Sequence, residues 1–193
     1  MARPREFEPN EALNKAMLLF WQKGYLNTSL DDLVQVTGVS RYGFYTTFGD
    51  KHDLFIKVMD HYAGTMINMM LGPLETPEAS VPEIRRYFDY LLLNSEPSQE
   101  QAGCLIGNTA MEMGQTDETI ADRINRHFAR MRGAFLNALQ KAAERGDISS
   151  ELDVEAYADY LVGIAVGYLV CIRAKMSQAA LQHFIKTALI ELS

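Results

Sequence analysis

The sequence predicts an all-α protein of about nine helices, with an N-terminal three-helix domain and a C-terminal helical domain. Three observations support this fold class. Apolar residues recur at intervals of three and four along most of the 193 residues, helix-capping residues precede many of these stretches, and alternating strand patterns are absent. We expect the first domain to span residues 1–50, with the start of a connecting helix, and the second to span residues 51–193.

The first helix is expected to begin at Pro9, whose fixed φ suits the first helical turn, and to end at Gly24. Ser29 is the expected cap of the second helix, because its hydroxyl can accept a hydrogen bond from the amide of Asp32. That helix ends at Gly38, where a left-handed backbone would turn the chain sharply.

Ser40 is the expected cap of the third helix, over residues 41–48, and Asp50 caps a long helix over residues 51–71. Short loops separate the helices that follow, as in a helical bundle. These five helices are expected over residues 82–94, 104–114, 117–145, 153–175 and 177–192.

Residues 29–48 predict a helix-turn-helix, whose second helix can enter the major groove of DNA. Phe44 and Phe48, one turn apart, would bury the back of this helix together with Leu33 and Val39. The opposite face offers a guanidinium, phenols and hydroxyls, which are groups that bond phosphates and base edges. We expect the DNA-facing residues to be Arg41, Tyr42, Gly43, Tyr45, Thr46 and Thr47.

A longer motif resembles the N-terminal domain of the tetracycline-repressor-like (TetR) family over about residues 10–56. The resemblance rests on Gly24-Tyr25, Thr28-Ser29-Leu30, Thr37-Gly38-Val39-Ser40-Arg41, Phe44-Tyr45, Phe48-Gly49-Asp50-Lys51 and Leu54-Phe55. It implies a transcriptional regulator that binds a palindromic double-stranded operator, usually as a repressor. It also implies that Tyr45 and Lys51 touch DNA phosphates and that Thr28 meets the DNA backbone.

His52 follows Lys51 at a helix start, where amides and the helix dipole attract phosphate. Together with Ser29, these residues complete the candidate DNA contacts. Arg3 and Arg5 are either a minor-groove arm or simply solvated.

Charge is unevenly distributed along the chain. The net charge is −7, yet residues 1–51 contain six Lys and Arg against six Asp and Glu, so the excess of acid lies in residues 52–193. The nearly neutral N-terminal domain (the head, residues 1–50) and the acidic C-terminal domain (the body, residues 51–193) suit a protein that touches DNA with one end only. Non-specific affinity should be modest and salt-sensitive.

In the TetR family the C-terminal helices form a dimer interface and a pocket whose ligand alters the spacing of the two DNA-binding heads. Gly163 and Gly167, four residues apart, would let helices approach closely and contribute to a four-helix homodimer interface. The alternative is an ordinary buried helix within one subunit.

Flexible methionines of the body suit an adaptable apolar pocket for a small-molecule effector, and core filling explains them equally well. The aromatic candidates for the pocket wall are Tyr62, Tyr87, Phe88, Tyr90, Phe128 and Tyr168.

Residues 103–112 resemble a Gly-Cys-Leu-x-x-Asn stretch in a TetR subgroup that includes the N-ethylmaleimide reductase repressor, a sensor of electrophiles and oxidants. Cys104 would lie at a helix start, where the dipole lowers the pKa of a thiol and favours the reactive thiolate. Two alternatives follow: a repressor that senses electrophiles through Cys104 without a reversibly bound ligand, or an inert packed thiol.

Enzymes form the rival class. No phosphate-binding loop, paired Cys-x-x-Cys, zinc-protease motif or nucleophile elbow is present, and nothing fixes a Cys104–His127 nucleophile and base pair. We expect no catalytic residue, cofactor or metal. A DNA-binding architectural protein without a ligand is a further alternative, which a cavity in the body would disfavour. The lack of a signal-like N-terminus and of an apolar run of about 20 residues predicts a cytoplasmic protein without membrane contact.

Overall fold

The computed structural model describes residues 7–93 and 103–192, and all regular structure within them is helical, which confirms the all-α class. Arg3 and Arg5 and the 95–102 loop lie outside the described residues. The α-helices are α1 (Pro9–Lys23), α2 (Leu30–Thr37), α3 (Arg41–Phe48), α4 (Lys51–Tyr62), α5 (Asn68–Leu71), α6 (Val81–Leu93), α7 (Leu105–Met113), α8 (Glu118–Arg145), α9 (Val154–Arg173) and α10 (Gln178–Ala188).

The predicted helix caps are present in the N-terminal domain. Ser29 accepts from the amide of Asp32 while the Asp32 carboxylate accepts from the amide of Ser29, which is a reciprocal capping box. Ser40 caps α3 through the amide of Gly43. Asp50 starts α4 with a second capping box. These local bonds set the boundaries of α2, α3 and α4.

The helix expected over residues 51–71 is continuous but contains an irregular segment. A π-helical turn, Ala63–Ile67, joins α4 to α5, and a 3₁₀ turn, Gly72–Glu75, follows. Single π turns within helices are frequent at functional sites. Here Met66 and Ile67 from this turn line a cavity in the C-terminal domain.

Helix α8 lies at the centre of the C-terminal domain and packs against α6, α7 and α9. Phe135 of α8 is fully buried and stacks on Phe88 of α6, with ring centroids 5.8 Å apart. At its surface Arg130 forms a two-pronged ion pair with Glu75, which fastens α8 to the 3₁₀ turn.

Helix α9 is apolar, yet only 28% of its most apolar 18-residue window is buried within the protomer. By length and composition alone such a helix is able to cross a membrane, and core helices of soluble proteins pass the same test. Tyr160 and Val170 are each 43% exposed on its outer side. One face of α9 is therefore left without a partner among the described residues of the single chain.

Candidate nucleic-acid interface

Helices α2 and α3 form the expected helix-turn-helix. Gly38 ends α2 with φ 71° and a left-handed backbone, a conformation that glycine adopts at little steric cost. Leu33, Val39, Phe44 and Phe48 are all buried. The inward face of this unit is therefore the one expected from the sequence, and the opposite face of α3 is left to solvent.

The outer face of α3 presents two phenols prominently. Tyr42 is 82% exposed and Tyr45 is 53% exposed. Arg41 and Thr46 are also exposed, whereas Gly43 and Thr47 are half-buried. The structure thus brings the candidate residues of α3 together on one surface.

Two of these side chains already have partners within the protein. The Arg41 guanidinium pairs with the Asp31 carboxylate of α2, and both side chains are well exposed. The Thr46 hydroxyl donates to the backbone carbonyl of Tyr42 at 2.9 Å. Arg41 must therefore leave or share Asp31 if it is to bond a phosphate or a base.

Thr28 is buried, whereas a contact with the DNA backbone would require its side chain to be exposed. Its side chain is only 1% exposed, and its hydroxyl donates to the carbonyl oxygen of Gly24 at 2.7 Å. This bond closes the turn between α1 and α2, so the hydroxyl does not face solvent where a phosphate would approach. The neighbouring Ser29 is exposed, but its hydroxyl is engaged in the α2 cap.

Lys51 and His52 are half-buried at the start of α4. The Lys51 ammonium lies over the Tyr25 ring, 4.2 Å from its centroid, and partial burial lowers the pKa of Lys51, although Glu112 opposes this. His52 Nε2 lies 2.7 Å from Asp117 Oδ2. Both residues tie the DNA-binding head to neighbouring helices as well as bordering α3.

A junction between head and body was not anticipated from the sequence. The Glu112 carboxylate on α7 accepts hydrogen bonds from the amides of Tyr25 at 2.9 Å and Leu26 at 2.6 Å. Gly24 precedes them with φ 81°, and a Cβ at this position would lie 2.9 Å from Glu112 Oε2. Glycine at this turn is the only sequence signal for the close approach, and it does not identify the partner.

Two adjacent cavities lie in the C-terminal domain, with volumes of about 290 and 260 Å³. Tyr62, Tyr87 and Tyr90 line the larger one and Phe128 lines the smaller, as expected. Phe88 and Tyr168 instead are fully buried core residues that line neither. A cavity disfavours the architectural-protein alternative.

Cys104 occupies the expected N-cap of α7 and lines both cavities. The expectation of a lowered thiol pKa is wrong, because burial raises the pKa of Cys104 and outweighs the hydrogen bonds from the Gly107 amide and the Tyr62 hydroxyl that lower it. Tyr62 Oη lies 3.6 Å from Sγ. The sulfur therefore accepts a hydrogen bond from a tyrosine hydroxyl and is not paired with a histidine base.

From the sequence, the one role open to His127 is that of a base for Cys104. In the structure it is 5% exposed and lines both cavities, and burial lowers its pKa to about 4. Neither ring nitrogen has a hydrogen-bond partner among the described residues, and Trp21 Nε1 is in the same condition. These two side chains give the larger cavity its unsatisfied polar groups.

Asp50, His52 and Asp53 bring three potential metal-ligand atoms together at the start of α4. Asp50 and Asp53 form the capping box of this helix, and His52 faces Asp117. Helix capping therefore explains this cluster.

Two family models match the chain. Residues 12–58 match the model described as bacterial regulatory proteins, tetR family, and residues 80–188 match the tetracyclin repressor-like C-terminal domain. The chain is also 31% identical to the HTH-type transcriptional repressor ComR of Escherichia coli over 188 residues, which cover 97% of this chain and 90% of ComR.

Solved structures share the fold. A cysteine mutant of the TetR family regulator CifR in complex with 26-base-pair operator DNA superposes with a TM-score of 0.85 at 23% identity, over 97% of this chain and 98% of that chain. The reduced form of NemR from E. coli gives a TM-score of 0.82 at 16% identity, over 93% of both chains.

Proposed function

The chain belongs to the TetR family of DNA-binding transcriptional regulators, and from this premise we propose that it is a repressor that leaves a palindromic operator when a small apolar or electrophilic effector acts on its C-terminal domain. The exposed outer face of α3 is the observation that carries this proposal. Tyr42 and Tyr45 protrude from a helix whose other face is fully buried, which suits insertion into a groove.

We assign the DNA contacts to the exposed and half-buried candidates at this surface. Tyr45 and Lys51 would hold phosphates, and the remaining side chains of α3 would meet base edges or phosphates. His52 and Ser29 border the surface through their helix starts. Thr28 is assigned the structural role of closing the turn before α2. The full set of proposed contacts is Ser29, Arg41, Tyr42, Gly43, Tyr45, Thr46, Thr47, Lys51 and His52.

A homodimer is part of the mechanism. The described head residues carry few unpaired cations, since Lys15 pairs with Glu11, Lys23 with Asp32 and Arg41 with Asp31. A single head should therefore bind DNA weakly, and two heads on one palindrome multiply the contacts. The outer face of α9, next to α10, is the surface we assign to pairing.

Helix α7 is the element that we assign to signal transmission. Its N-terminal end, at Cys104, lies on the cavity wall, and Glu112 near its C-terminal end holds the turn after α1. An effector that shifts α7 would move this turn and with it the head. The proposed domains, residues 1–50 and 51–193, would then be coupled across this junction, and we expect the protein to act in the cytoplasm.

Operator binding is tested by incubating the purified chain with the DNA that flanks its gene. Footprinting should protect a palindrome. Tyr45→Phe and Lys51→Ala should each weaken protection roughly tenfold by removing a phosphate contact, while the dimer remains intact. Thr47→Val, on the half-buried border of the same helix, is a matched comparison expected to have a smaller effect. Unchanged affinity in both of the first two variants would contradict the contact assignment.

Electrophile sensing through Cys104, as in the subgroup that includes the N-ethylmaleimide reductase repressor, is the second candidate. It is favoured by the position of Sγ on both cavity walls and opposed by the raised pKa of the thiol. Treatment with N-ethylmaleimide should release DNA from the wild-type chain and not from Cys104→Ser. Release from Cys104→Ser but not from Cys171→Ser would reject this candidate.

A further inference from the structure

The larger cavity holds polar groups that the protein itself does not satisfy. Trp21 is 9% exposed and His127 is 5% exposed, and both line this cavity. The indole Nε1 and both imidazole nitrogens are buried without a hydrogen-bond partner among the described residues. Because burying such groups is costly, a site that keeps three such atoms on two side chains is suited to a ligand that completes their bonds.

The unsatisfied groups define the chemistry of that ligand. An indole N–H only donates, and a neutral imidazole has one donor and one acceptor nitrogen whichever tautomer it adopts. His127 is neutral at physiological pH because burial lowers its pKa to about 4. Trp21 and His127 together therefore offer two unsatisfied donors and one unsatisfied acceptor, which match a carbonyl or a hydroxyl oxygen.

The lack of charged side chains on the described cavity walls disfavours ionised ligands. Among the described residues, no Asp, Glu, Lys or Arg lines either cavity. An ionised ligand would lose its hydration without gaining a counter-charge. The remaining wall is rich in flexible or aliphatic side chains, including Met66, Met70, Leu91 and Met131. The volume of about 290 Å³ corresponds to roughly ten water molecules in the liquid, so the ligand is small.

We propose that the effector is an uncharged compound with an apolar body and one carbonyl or hydroxyl oxygen, held by His127 with Trp21 as the second donor. This inference rests on the proposed function and specifies the chemical class of its effector. Its physical basis is the combination of an uncharged wall with two buried polar side chains that lack partners.

Trp21 is the single tryptophan of the chain, so its fluorescence reports occupancy of the cavity directly. The probes are acetophenone, cumene and benzoate, which have similar size and differ in carrying a carbonyl, no oxygen or a carboxylate. Titration of the DNA-free protein with acetophenone should change the Trp21 emission saturably. Benzoate should bind at least tenfold more weakly, because its charge would be buried without a partner.

Cumene separates hydrogen bonding from simple hydrophobic binding. In His127→Leu the affinity for acetophenone should fall about tenfold, as expected for one lost buried hydrogen bond, while the affinity for cumene should not fall. Met66→Leu alters the same wall without touching a polar group and should leave the ratio of the two affinities unchanged. Circular dichroism and the melting temperature establish that each variant is folded.

Three results would overturn the inference: acetophenone leaves the Trp21 emission unchanged, benzoate binds most tightly, or His127→Leu keeps the wild-type ratio of acetophenone to cumene affinity. These measurements need no DNA. A chain that protects its operator but fails them loses the inference and keeps the proposed function. A chain that passes them but protects no palindrome loses the proposed function alone.

Discussion

Arg41 is restrained by a neighbour that DNA would have to replace in the proposed interface. Its guanidinium pairs with Asp31 on α2, and an exposed ion pair of this kind is worth only about 0.2–1 kcal/mol. Phosphate competes readily with such a weak pair. Asp31 also places a negative charge beside the proposed DNA-binding surface, so it would oppose binding in two ways.

Asp31→Asn is therefore expected to raise operator affinity about threefold to tenfold at low salt. The gain should shrink as salt is added, because both the ion pair and the phosphate repulsion are screened. Electrophoretic mobility shifts over a salt series measure it. Glu144→Gln breaks a comparable exposed pair with Lys141 at the far end of α8 and should change little. Equal affinities for Asp31→Asn and the wild type would show that Arg41 does not bind DNA.

His127 makes stability depend on pH. Burial lowers the pKa of His127 to about 4 from an unfolded value near 6.5. Between these values the unfolded chain binds the proton and the folded chain does not, so the free energy of unfolding falls as the pH falls through this window.

The expected loss from His127 between pH 7.5 and pH 4.5 is about 2–3 kcal/mol, since the free energy of unfolding falls by about 1.4 kcal/mol for each pH unit below the unfolded pKa. Urea denaturation at both pH values, at one protein concentration, measures it. On acidification the free energy of unfolding should fall less in His127→Leu than in the wild type, and the difference should be about the loss assigned to His127. The exposed His183→Gln should behave like the wild type. Equal acid sensitivity in His127→Leu and the wild type would contradict the assignment.

Among the elements, those defined by neighbouring residues were predictable. Ser29, Ser40 and Asp50 cap the helices that follow them because a cap needs only an oxygen and an amide three residues on. The turn at Gly38 was predictable for an equally local reason, because glycine adopts a left-handed backbone at little steric cost.

Features that join distant residues were not predictable. Glu112 and Tyr25 are 87 positions apart, and no pattern within α7 or within the turn after α1 indicates their contact. Cys104 was placed correctly at the start of α7, but its pKa depends on burial by other helices, which the helix dipole argument ignores. The burial of Thr28 was not predictable, because a hydroxyl before a helix can serve a turn as readily as it can bind a phosphate.

The Glu112 junction should protect the amides that it binds. Hydrogen bonds to a charged group contribute about 1.5–3 kcal/mol, so Glu112→Ala is expected to speed hydrogen exchange at Tyr25 and Leu26 by at least tenfold. Exchange followed by NMR measures it residue by residue. The Gly38 amide, which bonds Val34, should be unaffected.

Two comparisons make that experiment specific. Gly24→Ala places a Cβ against the Glu112 carboxylate and should produce the same loss of protection. Glu151→Ala removes an exposed acid from the turn between α8 and α9 and should not. Unaltered protection of Tyr25 and Leu26 in Glu112→Ala would mean that the junction does not hold the head.

At the scale of the whole molecule, pairing decides whether two heads reach one palindrome. Helix α9 is apolar but mostly uncovered in the single chain, and an apolar face of this kind favours association. Gly163 lies on this face, and a side chain at its position would meet nothing within 4 Å in the protomer. A substitution there tests the interface without disturbing the fold of one chain.

Gly163→Glu should raise the dimer dissociation constant by at least tenfold, since it places a charge and extra volume where two apolar helices approach. Sedimentation equilibrium measures the dissociation constant, and operator affinity should fall with it. Gly133→Glu makes the same change at an exposed site on α8 that is equally open within the protomer. If both variants remain dimers at the protein concentrations at which the wild type is a dimer, the partner chain does not cover this face of α9. Loss of pairing in Gly163→Glu alone would instead locate the contact that sets the separation of the two heads.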